Sequence, residues 1–264
     1  MRRIFIFGLG YTASRIGAAL EMRGWEVVST GRDGTLRFDD ISNVRLALAD
    51  TSHVLSSVPP DGAGCDPVLD VYGDALDGKT LLYLSSTGVY GDTKGAWVDE
   101  SAPTGTGRRS ARAEADREWL IRGARVLRLP GIYGPGRSAL ERVESGLARR
   151  IDLPDQVFSR VHVDDIVSAA TLALNAPSGA YNVADDLPTS QNTVIEHACQ
   201  LLGNKMPPLQ SLDEANLSPM ARAFYAENRR VTNAKAKRAL GWQPRYPSYR
   251  EGLAACLAAR EGNQ

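Results

Sequence analysis

The chain lacks most of what would mark a secreted, metal-bound, nucleic-acid-binding or membrane protein. Its three cysteines, Cys65, Cys199 and Cys256, lie far apart in sequence, so neither a disulfide framework nor a CxxC pair is available, and a reduced, cytoplasmic compartment is the simplest expectation. Its three histidines, His53, His162 and His197, show no ligand spacing, and no metal site is expected. Neither sign of charge is in excess. The 31 Lys plus Arg balance 31 Asp plus Glu, leaving no net field to attract nucleic acid or an anionic membrane. No apolar run approaches the roughly 18 residues that cross a bilayer. The apolar start after Met1-Arg2-Arg3 is broken by Gly8 and Gly10 before a signal-peptide core is reached. Internal repeats and low-complexity segments are also missing. What remains, 264 residues that are 43% hydrophobic and 23% charged, is an ordinary globular composition, enough for one large domain or one domain with a small lobe.

The most informative stretch is the first 32 residues. An apolar run, Ile4-Phe5-Ile6-Phe7, leads into Gly8-Leu9-Gly10-Tyr11-Thr12-Ala13, then a helical segment to about Arg23, then Trp25-Glu26-Val27-Val28-Ser29. The order strand, glycine turn, helix, strand brings backbone N–H groups and the positive end of a helix dipole up to a pyrophosphate. Gly8 suits the tight turn, Gly10 the close approach of a ligand, and Ala13 close packing of helix on sheet, with Tyr11 and Thr12 in the same turn. A dinucleotide is the expected ligand. The second strand ends in Ser29-Thr30-Gly31-Arg32-Asp33. An NAD site places a carboxylate at such a tip, whereas an arginine there suits the 2′-phosphate of NADP. Arg32, with Ser29 or Thr30 adding a hydroxyl, favours NADP, with NAD still open; the plainer alternative is a solvated Arg32 paired with Asp33.

Strand-like and helix-like segments alternate through the first half, the pattern of a doubly wound parallel sheet. Leu36-Arg37-Phe38 is expected as a third strand and Ile41 to Ala49 as a helix. His53 to Val58 reads as a fourth strand, with Ser57 and Val58 at its cofactor end before Pro59-Pro60. Asp66 to Leu76 reads as a helix, Thr80 to Leu84 and Ala124 to Leu129 as buried strands, and Arg108 to Arg122 as a charged helix. After Pro130 the texture changes to loops, with helices near Val163 to Asn175, Gln191 to Leu202, Ala234 to Leu240 and Tyr249 to Arg260. The expected architecture is one Rossmann-type α/β domain over 1–264, with a small substrate lobe formed mainly by 131–160 and 180–264.

Five further segments carry a more specific pattern: Leu84-Ser85-Ser86-Thr87-Gly88-Val89-Tyr90-Gly91-Asp92, Leu129-Pro130-Gly131-Ile132-Tyr133-Gly134-Pro135-Gly136-Arg137, Val161-His162-Val163-Asp164-Asp165-Ile166, Tyr181-Asn182-Val183-Ala184 and Leu240-Gly241-Trp242-Gln243-Pro244. In this order they resemble the SSxxVYG, LRxxxxYGPGR, HVxD, YNV and LGWxP motifs of the extended short-chain dehydrogenase/reductase superfamily, the epimerases and dehydratases of nucleotide sugars. The resemblance implies that Ser86 holds the catalytic serine position and that Ser85 lies near the nicotinamide. It further implies that the backbone of Pro130 and Ile132 faces the nicotinamide amide, and that Arg137 grips substrate. Tyr90 and His162 are secondary substrate candidates; the plainer reading packs His162 internally.

The chain departs from the family at one point. Where family enzymes carry a YxxxK helix, residues 103–116 contain neither tyrosine nor lysine, and the best register puts Arg108 at the tyrosine and Arg112 at the lysine position. Arg112 keeps a positive charge for the ribose, but an arginine is a poor proton shuttle. The resemblance implies an NADP-dependent oxidoreductase or epimerase acting on a small polar carbonyl or hydroxyl compound, with no nucleic-acid or membrane partner and a homodimer possible. The missing pair keeps a second reading open, a non-catalytic NADP(H)-binding redox sensor.

Overall fold

The computed structural model describes residues 2–107 and 110–261. Six strands, β1 (Arg3–Phe7), β2 (Glu26–Thr30), β3 (His53–Ser56), β4 (Thr80–Ser86), β5 (Arg125–Leu129) and β6 (Gly179–Asn182), form one sheet in the order β6-β5-β4-β3-β1-β2. All five pairings are parallel. The chain leaves β1 toward β2 on one side and returns to β3 on the other, and a crevice opens at that reversal of direction.

The composition of β1 explains the layering. Successive side chains of a strand point to opposite faces. Ile4 and Ile6 accordingly join one cluster with Ile16, Leu20, Ile166, Ala170 and Trp242, while Phe5 and Phe7 join a second with Val44, Leu48, Tyr72, Tyr83 and Trp119. All four are fully buried, as a parallel sheet covered on both faces requires. One face is covered by the helices Tyr11–Glu21 and Val163–Ala173, the other by Ile41–Ala49, Pro67–Tyr72 and Ser110–Ile121.

Two expectations need correction. Leu36-Arg37-Phe38 does not form a third strand; only Leu36 bridges to Thr30, and the aromatic ring of Phe38 turns inward against Phe7 and Tyr72. The Asp66–Leu76 helix is shorter, giving way after Tyr72 to a 3₁₀ turn at Gly73–Leu76.

The strand β6 and the helix Ala234–Leu240 belong to the main sheet and its first cluster. A separate helical cluster joins Leu140 and Val143, Val194 and Ile195, and Leu253 and Cys256 from the helices Ala139–Glu144, Gln191–Leu202 and Tyr249–Glu261. Short strand pairs, Gly131–Tyr133 with Arg160–His162 and Trp97–Val98 with Arg230–Val231, hold this part beside the carboxyl ends of β4 and β5.

Ile6→Ala removes a side chain with no exposed surface and is expected to cost about 2–5 kcal/mol. Leu46→Ala, at a position 67% exposed, is expected to cost less than about 0.5 kcal/mol. Urea unfolding of the two variants checks the difference.

Candidate active site

The glycine turn after β1 is built by close approach. Gly8 has φ +80°, and a Cβ there would meet Ser57 Oγ and Val58 Cγ2 at 3.0 Å. Gly31, at φ +140°, comes so near the turn that a Cβ would sit 2.8 Å from the Leu9 nitrogen. Gly10 differs: a Cβ there meets nothing within 4 Å, so the absence of a side chain leaves open space rather than relieving a clash. Gly10 starts the helix Tyr11–Glu21 with no side-chain cap and no acidic residue in the first turn. The amides of Tyr11, Thr12 and Ala13 lack intrahelical acceptors by geometry, and among the described residues nothing else accepts from them. Unsatisfied amides and the helix dipole together suit an anion.

These amides open onto a cleft of about 830 Å³. Of the expected cofactor residues, Gly10, Tyr11, Thr12 and Ala13 line it from the helix, Ser57 from the end of β3, Ser85 from β4, and Pro130 and Ile132 from the segment after β5. Ser86, Arg112 and Arg137 line the same space. The structure thus brings eleven of the expected site residues into one cavity.

Six others lie outside its lining. Gly8 sits beneath the turn. Val58 packs partly buried against the second core cluster. Thr30 is 1% exposed, and its carbonyl accepts from the Gly8 and Leu9 amides, so it holds the turn rather than facing a ligand. Arg32 is exposed at the strand tip and, among the described residues, has no ion-pair partner, so the expected alternative of an Arg32–Asp33 pair is not what forms. Tyr90 is corrected from substrate contact to core: it is 1% exposed, its hydroxyl donates to Asn182 Oδ1 at 2.7 Å and accepts from Arg128 Nη1 at 2.9 Å. For His162 the plainer reading, an internally packed residue, holds, and the secondary reading as a substrate ligand does not. Its Nδ1 accepts from the Asp164 amide at 3.2 Å as the cap of the helix Val163–Ala173, its Nε2 faces Cys256 Sγ at 3.6 Å, and burial lowers its pKa to about 4. Arg108 lies outside the described residues.

The two serines at the end of β4 have different surroundings. Ser85 donates to Asp116 Oδ2 at 2.6 Å. Asp116 is 1% exposed and held by Arg128 through Nε at 3.1 Å and Nη2 at 2.7 Å. Ser86 Oγ accepts from the Gly88 amide at 3.1 Å, which leaves its own proton free. Arg112, on the helix Ser110–Ile121, donates through Nη1 to Tyr83 Oη at 2.9 Å. That phenol is stacked on Trp119 and pushed up to about 12 by burial, and it lies outside the lining.

Sequence reasoning missed most of the far half of the cleft. Arg142, Phe158, Arg160, Phe224, Glu227 and Arg229 line it; they come from loops and short elements that no motif marks. Arg160 is 6% exposed, and its guanidinium donates to the carbonyls of Phe158, Thr189 and Ser190 and to Gln191 Oε1. Burial lowers its pKa to about 10, so it stays charged at neutral pH. Among the described residues there is no cluster of ligating side chains for a metal, and no helix is long and apolar enough to cross a membrane.

No protein-family model matches the chain. A conserved protein of unknown function from Silicibacter pomeroyi has a structure that matches 98% of this chain and 99% of its own at 39% identity, with a TM-score of 0.87. Protein YeeZ of Escherichia coli K12 is 28% identical, over 94% of this chain and 97% of its own. A 3-diazoavenalumate denitrifying reductase from a Streptomyces species is 33% identical over 160 residues, 54% of this chain and 52% of the reductase. The fold is also that of a dTDP-glucose 4,6-dehydratase from Bacillus anthracis, solved in complex with NAD, at a TM-score of 0.79 and 16% identity over 100% of this chain and 98% of the dehydratase. The chain is thus related over nearly its whole length to a protein whose function is unknown, and it shares its fold with the dehydratase.

Glu141, on the cleft wall, gives a pH test of this architecture. Burial pushes its carboxyl up, but hydrogen bonds from Ser138 and Arg260 outweigh that and hold it at about 2, against an ordinary value of 4.5. Its contribution to stability is therefore complete above about pH 4.5 and lost as pH falls toward 2. The stability gap between wild type and Glu141→Gln, read from urea unfolding across that range, is expected to shrink with falling pH; a gap independent of pH contradicts the assignment.

Proposed function

We propose that the chain is an NADP-dependent oxidoreductase or epimerase acting on a small polar substrate with a carbonyl or hydroxyl group. The observation that carries this reading is the opening of the uncapped amides of Tyr11–Ala13 and the free hydroxyl proton of Ser86 into one cleft. The residues fit a dinucleotide: the space above Gly10 admits a pyrophosphate and the helix start supplies its donors. Tyr11, Thr12 and Ala13 would hold the pyrophosphate through their amides, with Ser57 beside them and the Pro130–Ile132 backbone at the nicotinamide end. The bound coenzyme supplies or accepts a hydride. The dehydratase solved with NAD and the partly matching reductase support this class of coenzyme and of chemistry.

The choice of NADP rests on the tip of β2. Ser29, Thr30 and Gly31 offer no carboxylate for a ribose hydroxyl, whereas Arg32 is exposed and, among the described residues, its guanidinium is uncommitted to any acid. Charge-assisted bonds to a 2′-phosphate follow. The substrate is held in the far half of the cleft, contributed mainly by 131–160 and 180–264, with Arg137 at its edge.

Ser86 donates a hydrogen bond to the substrate oxygen. Arg112, anchored to Tyr83 through one nitrogen, retains further N–H groups and a fixed charge to stabilise negative charge developing on that oxygen. It does not shuttle protons, so water replaces the usual phenol, and turnover is slower by about 10²–10⁴-fold than with a placed acid. The absence of a tyrosine from residues 103–116 favours one other reading, a non-catalytic NADP(H) sensor.

NADPH oxidation across a panel of carbonyl compounds separates the two. Turnover is expected, falling about 10²-fold or more in Ser86→Ala, while Arg32→Ala lowers the preference for NADPH over NADH about tenfold or more. Tight NADPH binding without turnover of any compound supports the sensor instead.

A further inference from the structure

The serines at the end of β4 present opposite hydrogen-bond polarity to the cleft. A hydroxyl has one proton to give and two lone pairs to receive. Asp116 is a buried carboxylate whose two oxygens are engaged by Arg128, and Arg128 also donates to Tyr90. Desolvation opposes the charge on Arg128, but the Asp116 carboxylate beside it raises its pKa overall. The ion pair keeps Asp116 an acceptor, and the Ser85 proton is therefore spent at 2.6 Å on Asp116 Oδ2. What Ser85 shows the cleft is lone pairs alone. Ser86 is the reverse, with a lone pair used by the Gly88 amide and its proton available.

Ser85 is 5% exposed and lies on the cleft wall, where a ligand acceptor would face another acceptor. The reversal of strand order beside β1 places the adenine half of a dinucleotide over β2, and so the other half over β4. We propose that Ser85, oriented by Asp116, is the specificity determinant for a hydrogen-bond donor on the coenzyme ring, the N–H of the nicotinamide carboxamide, and that Asp116 is its positioning residue. This inference rests on the coenzyme reading above and deepens it. It separates two duties that adjacent, chemically identical side chains would otherwise share: Ser85 fixes the coenzyme ring and Ser86 polarises the substrate oxygen.

The test compares binding of NADPH with binding of its 3-acetylpyridine analogue, in which a methyl replaces the amide nitrogen and the carbonyl remains. Wild type is expected to prefer NADPH about tenfold, from a lost hydrogen bond and an unpaired acceptor. Ser85→Ala is expected to bring the two affinities within about twofold, with NADPH still bound through the helix start. Asp116→Asn offers Ser85 an N–H donor, frees the serine proton and is expected to erase or reverse the preference while Ser85 is still present. A merely structural Asp116 would lower both affinities together. Should Asp116→Asn fail to fold, the Ser85→Ala comparison decides alone. Equal affinities in wild type, or an unchanged preference in Ser85→Ala, overturn the inference and leave the coenzyme reading standing. Failure of wild type to bind either compound overturns both.

Discussion

A helix that starts without a cap at the edge of a buried parallel sheet leaves amides pointing at whatever fills the crevice. In this chain that condition is imposed by packing. Gly31 touches the turn through its backbone, Gly8 is closed in by Ser57 and Val58, and Thr30 accepts from the first two amides of the turn. The Gly10 amide donates to the Gly8 carbonyl, and those of Tyr11 to Ala13 are left for a ligand or water. The first strand contributes as much as the turn, since Ile4 and Ile6 on one face and Phe5 and Phe7 on the other fix the height at which the chain must reverse.

Below the cleft a chain of hydrogen bonds links buried polar groups. Ser85, Asp116, Arg128, Tyr90 and Asn182 run from the cleft wall into the core through hydrogen bonds of 2.6–3.1 Å. Such a network fixes the direction of each proton it contains, because reversing one bond would strand a buried charge. The helix Ser110–Ile121 carries Asp116 inward and Arg112 to the cleft, one turn apart. Residues 103–116 hold no tyrosine or lysine to carry a proton, while the cleft keeps a fixed positive charge and an ordered pair of serines.

Much of the fold was legible because its signals are local. Strand period, the glycine turn and helix breakers located β1, the helix Tyr11–Glu21, β4 and the helices Ile41–Ala49 and Gln191–Leu202. The third strand was misread because Leu36 and Phe38 are apolar for packing and not for pairing; Phe38 is inside against Tyr72. Tyr90 and His162 stand in motifs that border the cleft in sequence, yet their side chains turn inward, to Arg128 and Asn182 and to Cys256. Period alone does not reveal that direction. Arg160 and Arg229 were invisible for a different reason, since nothing in the local sequence tells a cation that packs inside from a solvated one.

The central claim is that the first turn of the helix Tyr11–Glu21 clasps a dinucleotide, and amide hydrogen exchange reads it directly. With saturating NADPH the amides of Tyr11, Thr12 and Ala13 are predicted to exchange much more slowly than in the free protein, while an exposed segment such as the start of the helix Ile41–Ala49 is unchanged. Exchange at those three amides that is the same with and without NADPH would contradict the account.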